Sequence, residues 1–477
     1  MPRPAAPHRC AACGTMCSRW MGRCPDCGEW NALQPVVAGR GAGTAAGAPA
    51  VAAPAPVPLA SVCGDDATPV PTGIGEVDRV LAGGLVPGSV TLLYGEPGVG
   101  KSTLLLQVLA TMASGGARTL LVSAEESSAQ VRRRAGRLGS LPPDLYVVAT
   151  ADVVAAEDSV RSVGPALVVV DSVQMLSDPE VTGSAGGLAQ VRSCAERLAR
   201  LARGEGTAVV LVGHVTKEGD LAGPRVLEHL VDTVLAFEGD RHHALRLLRA
   251  DKHRFGATGE VGLFEMTDRG VRDVADPGPL LLGDRRADVP GSAVTAVLQG
   301  RRSLVVEVQA LVAPASPAGA ARRTAVGLDG RRLATVAAVL EARTGVSLAG
   351  LELFASAAGG VRAGEPATDL PLALALGSAA TGTALPADLV SFGEVGLAGE
   401  VRQVTGAERR LAEAARLGFS TAFVPVSTPD GPPGMAMVRV ATVAEALAAA
   451  RVGRGTGAAT GGGPTGTMLL CPTTASR

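Results

Sequence analysis

The chain has 477 residues, enough for two or three domains that each bury a core of their own. Charged residues make up 19% and hydrophobic residues 47%, a balance that excludes an intrinsically disordered chain. Opposite charges nearly cancel, 44 Lys+Arg against 45 Asp+Glu, so overall charge carries no nucleic-acid footprint and any phosphate-binding surface has to be local.

Residues 8–34 read as a metal module. Cys10-Ala-Ala-Cys13-Gly14 is followed by Cys24-Pro-Asp-Cys27-Gly28, and two CxxCG turns offer four thiolates to a tetrahedral zinc ion. Fewer than thirty residues cannot bury enough apolar area to fold alone, so metal binding is expected to supply the fold. The other four cysteines, Cys17, Cys63, Cys194 and Cys471, share no spacing and read as incidental. Residues 35–66 are mostly Ala, Pro, Gly and Val, the composition of a flexible linker. Arg3 and Arg9 precede no apolar segment, so no signal peptide is expected and the expected location is the cytoplasm.

From 67 to 275 continuous apolar runs alternate with helical stretches. The runs are Val90–Tyr94, Thr119–Ser123, Ala166–Val170, Ala208–Val212 and Thr233–Phe237, and unbroken runs suit strands buried on both faces of a mostly parallel sheet. Ser102–Met112 and Leu188–Arg203 read as helices between them, an α/β rhythm. A second α/β domain is expected over 283–451, with a disordered tail at 452–477. The uncharged stretch 370–387 carries Pro371, Gly377, Gly382 and Pro386, so no membrane span is expected there.

Gly95-Glu96-Pro97-Gly98-Val99-Gly100-Lys101-Ser102-Thr103, between a strand and a helix, is a complete phosphate-binding loop. Its backbone N–H groups and helix N-terminus cradle the phosphates of ATP, Lys101 reaches the β- and γ-phosphates, and Ser102 ligates Mg²⁺. The apolar strand ending in Asp171 supplies the second Mg²⁺ residue. This pair of motifs resembles the RecA-like class of P-loop ATPases. There the carboxylate that polarises the attacking water sits at the end of the strand Arg118–Ser123, which points to Glu125, with the adjacent Glu126 as the alternative. The same resemblance makes His214, at the end of the strand from Thr207, a sensor of the γ-phosphate.

Together with Cys24-Pro-Asp-Cys27-Gly28-Glu29-Trp30-Asn31 and Lys252-His253-Arg254-Phe255-Gly256, these motifs make the chain similar to the RadA (Sms) family of bacterial branch-migration proteins, over roughly residues 8–450. The family's hallmark is Lys-Asn-Arg-Phe-Gly, and His253 stands here in place of the Asn. The resemblance implies a RecA-like core, a Lon-protease-like C-terminal domain and a hexameric ring with nucleotide at subunit interfaces. It also implies single-stranded and branched DNA as substrates and the RecA recombinase as a partner. Lys252 and Arg254 would then act in trans on a neighbour's nucleotide or couple it to DNA. Branch migration in recombination and repair, with translocation on single-stranded DNA, is the implied activity. Three other readings compete: a RecA-like recombinase that forms filaments and pairs strands itself, which the extra C-terminal domain disfavours, a RecA-fold signalling ATPase that binds proteins, and an ATP-dependent protease. The protease needs a Ser/Lys dyad. The aligned positions hold Leu372 and Glu408, and no lysine lies beyond Lys252. Arginine clusters at 132–134, 241–254, 301–302, 322–323 and 331–332 are candidate DNA contacts.

Overall fold

The computed structural model describes residues 8–10, 15–17, 21–28, 33–35, 58, 68–139, 141–214, 227–239, 245–315 and 322–452. The linker read at 35–66 and the tail read at 452–477 lie almost wholly outside them. The chain divides into two compact units, Met1–Cys63 and Gly64–Arg477.

In the first unit β1 (His8–Cys10) pairs antiparallel with β2 (Met16–Cys17) and β3 (Leu33–Pro35). Among its described residues the buried apolar cluster is Cys10, Cys17 and Cys24 with Met21 alongside, very little apolar surface to hold a fold.

In the second unit a nine-stranded sheet is built on β4 (Val90–Gly95), β5 (Thr119–Ser123), β6 (Leu145–Ala149), β7 (Leu167–Asp171) and β8 (Ala208–His214). These five strands are parallel, in the order β4-β8-β7-β5-β6. Apart from the edge strand β6 their residues are nearly all buried, because α2 (Lys101–Ser114) covers one face while α4 (Val153–Val163) and α5 (Leu188–Glu205) cover the other. The five apolar runs and two helices read from the sequence correspond to β4, β5, β7, β8, the next strand β9 (Thr233–Glu238), α2 and α5. β9 lies parallel to β4, and the sheet then turns antiparallel through β10 (Leu245–His253), β11 (Val261–Thr267) and β12 (Gly270–Asp273).

A seven-stranded sheet follows, led by β13 (Ser292–Gln299) and the long β14 (Arg302–Pro314). The uncharged stretch supplies all but the first residue of a thirteen-residue helix, Asp369–Thr381, whose first ten residues are all buried. Its even hydrophobicity is that of a central core helix, and no described helix is long and apolar enough to cross a membrane.

A buried ion pair ties the two sheet regions together. Glu76, from α1 (Gly75–Val80), accepts from Arg302 at 2.5 Å and from the Leu263 N–H at 2.9 Å. Arg302 also donates to the Ala275 carbonyl at 2.6 Å, in the segment between the sheets.

Candidate active site

The P-loop spans the turn from β4 into α2. Its glycines are dictated by crowding: a Cβ on Gly95 would lie 2.1 Å from the Phe237 carbonyl oxygen, and Gly100, the helix N-cap, has φ 114° with Met266 against it. The first N–H groups of α2, those of Lys101, Ser102 and Thr103, have no partner within the helix by construction and open toward the loop. Lys101 is 4% exposed, and its ammonium donates to the carbonyls of Gly95 at 2.8 Å and Glu96 at 3.1 Å. Burial pulls its pKa below the ordinary lysine value, while the charges of Asp171 and Glu125 oppose that shift. A buried cation facing two carboxylates, at a helix N-terminus, fits a nucleotide's phosphates with Mg²⁺ between them.

Asp171 ends β7 and is 9% exposed; the peptide bond to Ser172 is cis. β5 lies beside β7 with Ser123 level with Asp171, so the residues after Ser123 reach the same sheet edge. There the two glutamates part. Glu125 accepts from Ser172 Oγ at 2.5 Å, whereas Glu126 is 3.0 Å from the guanidinium of Arg134, which is also 3.9 Å from Asp171. The Ser123 hydroxyl donates to the Glu126 carbonyl and accepts its N–H, which fixes the turn. A capping box between Ser127 and Gln130 then starts α3 (Ser128–Leu138), the helix that delivers Arg134; such caps are worth about 1 kcal/mol. Sequence reasoning missed Ser172, and it placed Arg134 in a DNA-facing cluster.

β8 runs between β4 and β7, and the His214 backbone is paired with Gly95. The His214 side chain lies outside what the structure describes. Beneath the loop, Arg246 is 4% exposed and its Nε donates to the Val99 carbonyl at 3.2 Å.

Lys252-His253-Arg254-Phe255-Gly256 lies at the far end of the same sheet. β10 is antiparallel to β9, so Lys252 is level with Val234 and His253 with Thr233, at the starts of β9 and β4. The Arg254 N–H donates to the Asp232 carbonyl, and the Asp232 N–H to that of Val90. Gly95 is five residues along from Val90, about 16 Å at the ~3.3 Å rise of a parallel strand, and three along from Leu92, the residue level with Lys252, about 10 Å. The Asp232 carboxylate, 7% exposed, accepts from Arg254 at 2.9 Å and from the Val90 N–H at 3.0 Å. Lys252 donates to the carbonyls of Glu228 at 2.5 Å and Val231 at 2.8 Å; burial, then Arg254, lowers its pKa. The His253 substitution preserves a turn. Its Nδ1 accepts the Phe255 N–H at 3.2 Å, the i to i+2 bond that an Asn side-chain oxygen makes in an Asx-turn.

The other arginine clusters are largely used inside the protein. Arg249 pairs with Glu238 and Asp251, Arg302 with Glu76, and Arg332 with the buried Asp369. In the C-terminal sheet region Leu372 is 1% exposed within the core helix, and Glu408 is exposed in the first turn of the helix Ala407–Arg416. Leu372 offers no hydroxyl nucleophile and Glu408 no amine, so these positions do not form a Ser/Lys dyad.

In the first unit the sulfurs of Cys10, Cys24 and Cys27 lie within 4.8 Å of one another, with Cys10 and Cys27 3.7 Å apart. Tetrahedral zinc with bonds of about 2.3 Å places its sulfurs roughly 3.8 Å apart, so the thiols fit that ion. Cys13 lies outside the described residues.

The strand order β4-β8-β7-β5, presenting Gly95, His214, Asp171 and Glu125 along one sheet edge, defines a P-loop ATPase of the RecA type. Family comparisons agree: residues 70–220 match the AAA domain, residues 8–35 the rubredoxin metal binding domain, and residues 357–428 subunit ChlI of Mg-chelatase. The DNA repair protein RadA of Mycobacterium tuberculosis H37Rv is 47% identical over 443 residues, covering 92% of each chain. That of Mycolicibacterium smegmatis is 47% identical over 447 residues, 92% of this chain and 96% of its own. That of Bacillus subtilis is 43% identical, over 92% of this chain and 97% of its own. The chain belongs to the RadA family of DNA repair proteins.

Proposed function

We propose that this protein is an ATP-driven DNA motor of recombination and repair, which translocates on single-stranded DNA and drives branch migration as a hexameric ring. The RecA recombinase is its partner, and the protein works in the cytoplasm. The observation that carries the reading is that Lys252 and Arg254 lie toward the opposite end of the sheet from the P-loop of their own chain, Lys252 level with Leu92 and Arg254 bonded to Asp232 beside Val90. Cations at that end are placed for a neighbour's nucleotide or for DNA, which is what a ring with interfacial nucleotide requires.

Within one subunit the P-loop amides and Lys101 hold the phosphates. Ser102 and Asp171 hold Mg²⁺, which screens the charge of the β- and γ-oxygens when bound. Glu125 orients and deprotonates the attacking water, positioned by Ser172, while Arg134 engages Glu126. His214 reports the γ-phosphate along β8. Cys10, Cys13, Cys24 and Cys27 hold zinc.

The test is the ATP hydrolysis rate of the full chain alone, with single-stranded DNA, and with unfolded casein. Stimulation by DNA that weakens as salt rises is expected. Stimulation by casein and not DNA would overturn the reading in favour of a protein-directed ATPase. Lys101→Ala is expected to abolish turnover in every arm.

A further inference from the structure

The strand that carries Lys252 is not regular. Between Ala250 and Lys252 the pairing of β10 with β9 slips by one residue, and Asp251 is the residue left over. Such a bulge re-aims the side chain that follows it and increases local twist, and bulges recur beside active sites for that reason. The side chain that follows is Lys252.

Asp251 is not loose. Its carboxylate accepts a hydrogen bond from the Tyr94 hydroxyl on one oxygen and from Arg249 Nε at 3.0 Å on the other. Arg249 in turn lies 2.9 Å from Glu238, so Asp251 and Glu238 share one guanidinium. Tyr94 belongs to β4, two strands away. Ala236 is level with it on the intervening β9, and Arg249 is level with Ala236 on β10, so the phenol reaches over a small residue to the bulge. Burial, followed by the bond to Asp251, raises the Tyr94 pKa, which keeps the hydroxyl a donor at neutral pH.

Tyr94 is also the residue immediately before Gly95, the first of the P-loop. One hydrogen bond therefore joins the residue ahead of this subunit's phosphate loop to the residue ahead of its trans cation. We infer that Tyr94 is a positioning residue for hydrolysis on the neighbouring subunit: it pins the Asp251 bulge that aims Lys252, and so couples the P-loop of one subunit to the trans contact it offers the next. The inference rests on the trans reading proposed above.

Mixed oligomers separate the possibilities. Wild-type chains are mixed with an excess of Lys101→Ala chains, so that turnover comes from wild-type sites whose trans residues are supplied mostly by inactive neighbours. Three inactive partners are compared: Lys101→Ala alone, with Tyr94→Phe added, and with Lys252→Ala added. Tyr94→Phe in the inactive partner is expected to lower turnover by about tenfold, below the 10³–10⁵-fold that a complete trans cation is worth. Binding of a fluorescent ATP analogue by the Tyr94→Phe chain is expected to stay unchanged, and Asp251→Asn, which keeps an acceptor oxygen, is expected to retain most activity where Asp251→Ala does not. If Lys252→Ala in the partner lowers turnover and Tyr94→Phe does not, the coupling is overturned and the trans reading stands. If neither lowers it, the trans reading fails and takes the coupling with it.

Discussion

Ser172 donates its hydroxyl hydrogen to Glu125 at 2.5 Å, across the gap between the ends of β7 and β5. The bond ties the candidate base to the residue after the candidate Mg²⁺ ligand, so the two carboxylates are held in a fixed relation. Glu126 is tied instead to Arg134. Glu125→Gln is expected to cut ATP turnover by about 10²–10⁴-fold while leaving ATP binding intact, and Glu126→Gln to cost less than tenfold. Single-turnover hydrolysis with both variants checks this; the reverse ranking would transfer the role to Glu126.

His253 makes its turn only while Nδ1 is an unprotonated acceptor. Burial lowers its pKa below the ordinary histidine value, with the Leu81 backbone opposing. A depressed histidine favours the neutral ring in the folded state. The turn is thus fully kept at and above the ordinary histidine value of about 6.5 and is lost only as the pH falls through the lower folded-state value. DNA-stimulated turnover of the wild type should fall more steeply on acidification than that of His253→Asn, which keeps the same i to i+2 acceptor without titrating. Parallel pH profiles would remove His253 from the turn's chemistry.

Zinc should be bound at about one ion per chain, with its removal unfolding the first unit. Metal binding contributes about 10–16 kcal/mol in small zinc peptides, far more than three buried cysteines and a methionine supply. Replacing Cys24 and Cys27 by Ser should abolish the metal measured by atomic emission while the ATPase domain still binds nucleotide. A native protein free of zinc would refute the site.

Arg302→Ala should destabilise the second unit by roughly 3–5 kcal/mol, because it leaves Glu76 buried with its main cation gone. Side-chain exposures of 14% and 3% put this pair well inside the protein. Arg302→Lys should recover part of the loss, since it restores charge without the fork that reaches Ala275. Urea unfolding midpoints read the difference, and an unshifted midpoint for Arg302→Ala would mean the ion pair is not structural.

Much of this was legible in the sequence because it is local. A P-loop, a CxxCG turn and an apolar run each announce themselves within ten residues, and β5 was read to both of its ends. β6 escaped because an edge strand with Tyr146 and Val147 half-exposed lacks the unbroken burial of its neighbours. What stayed hidden was long-range pairing. The Arg302 bond to Glu76 spans 226 positions, and that of Ser172 to Glu125 spans 47. No spacing rule distinguishes an arginine awaiting a phosphate from one already facing a glutamate, which is why four of the five clusters read as DNA contacts contain arginines that fold into ion pairs.

On the proposed trans reading, the placing of Lys252 and Arg254 toward the opposite end of the sheet from the P-loop also acts as a safeguard. A newly made or stray subunit would then carry every part needed to hold ATP and lack the cation to spend it. Fuel consumption would thereby be conditional on assembly, and dilution below the assembly threshold should switch the protein off with no inhibitor involved.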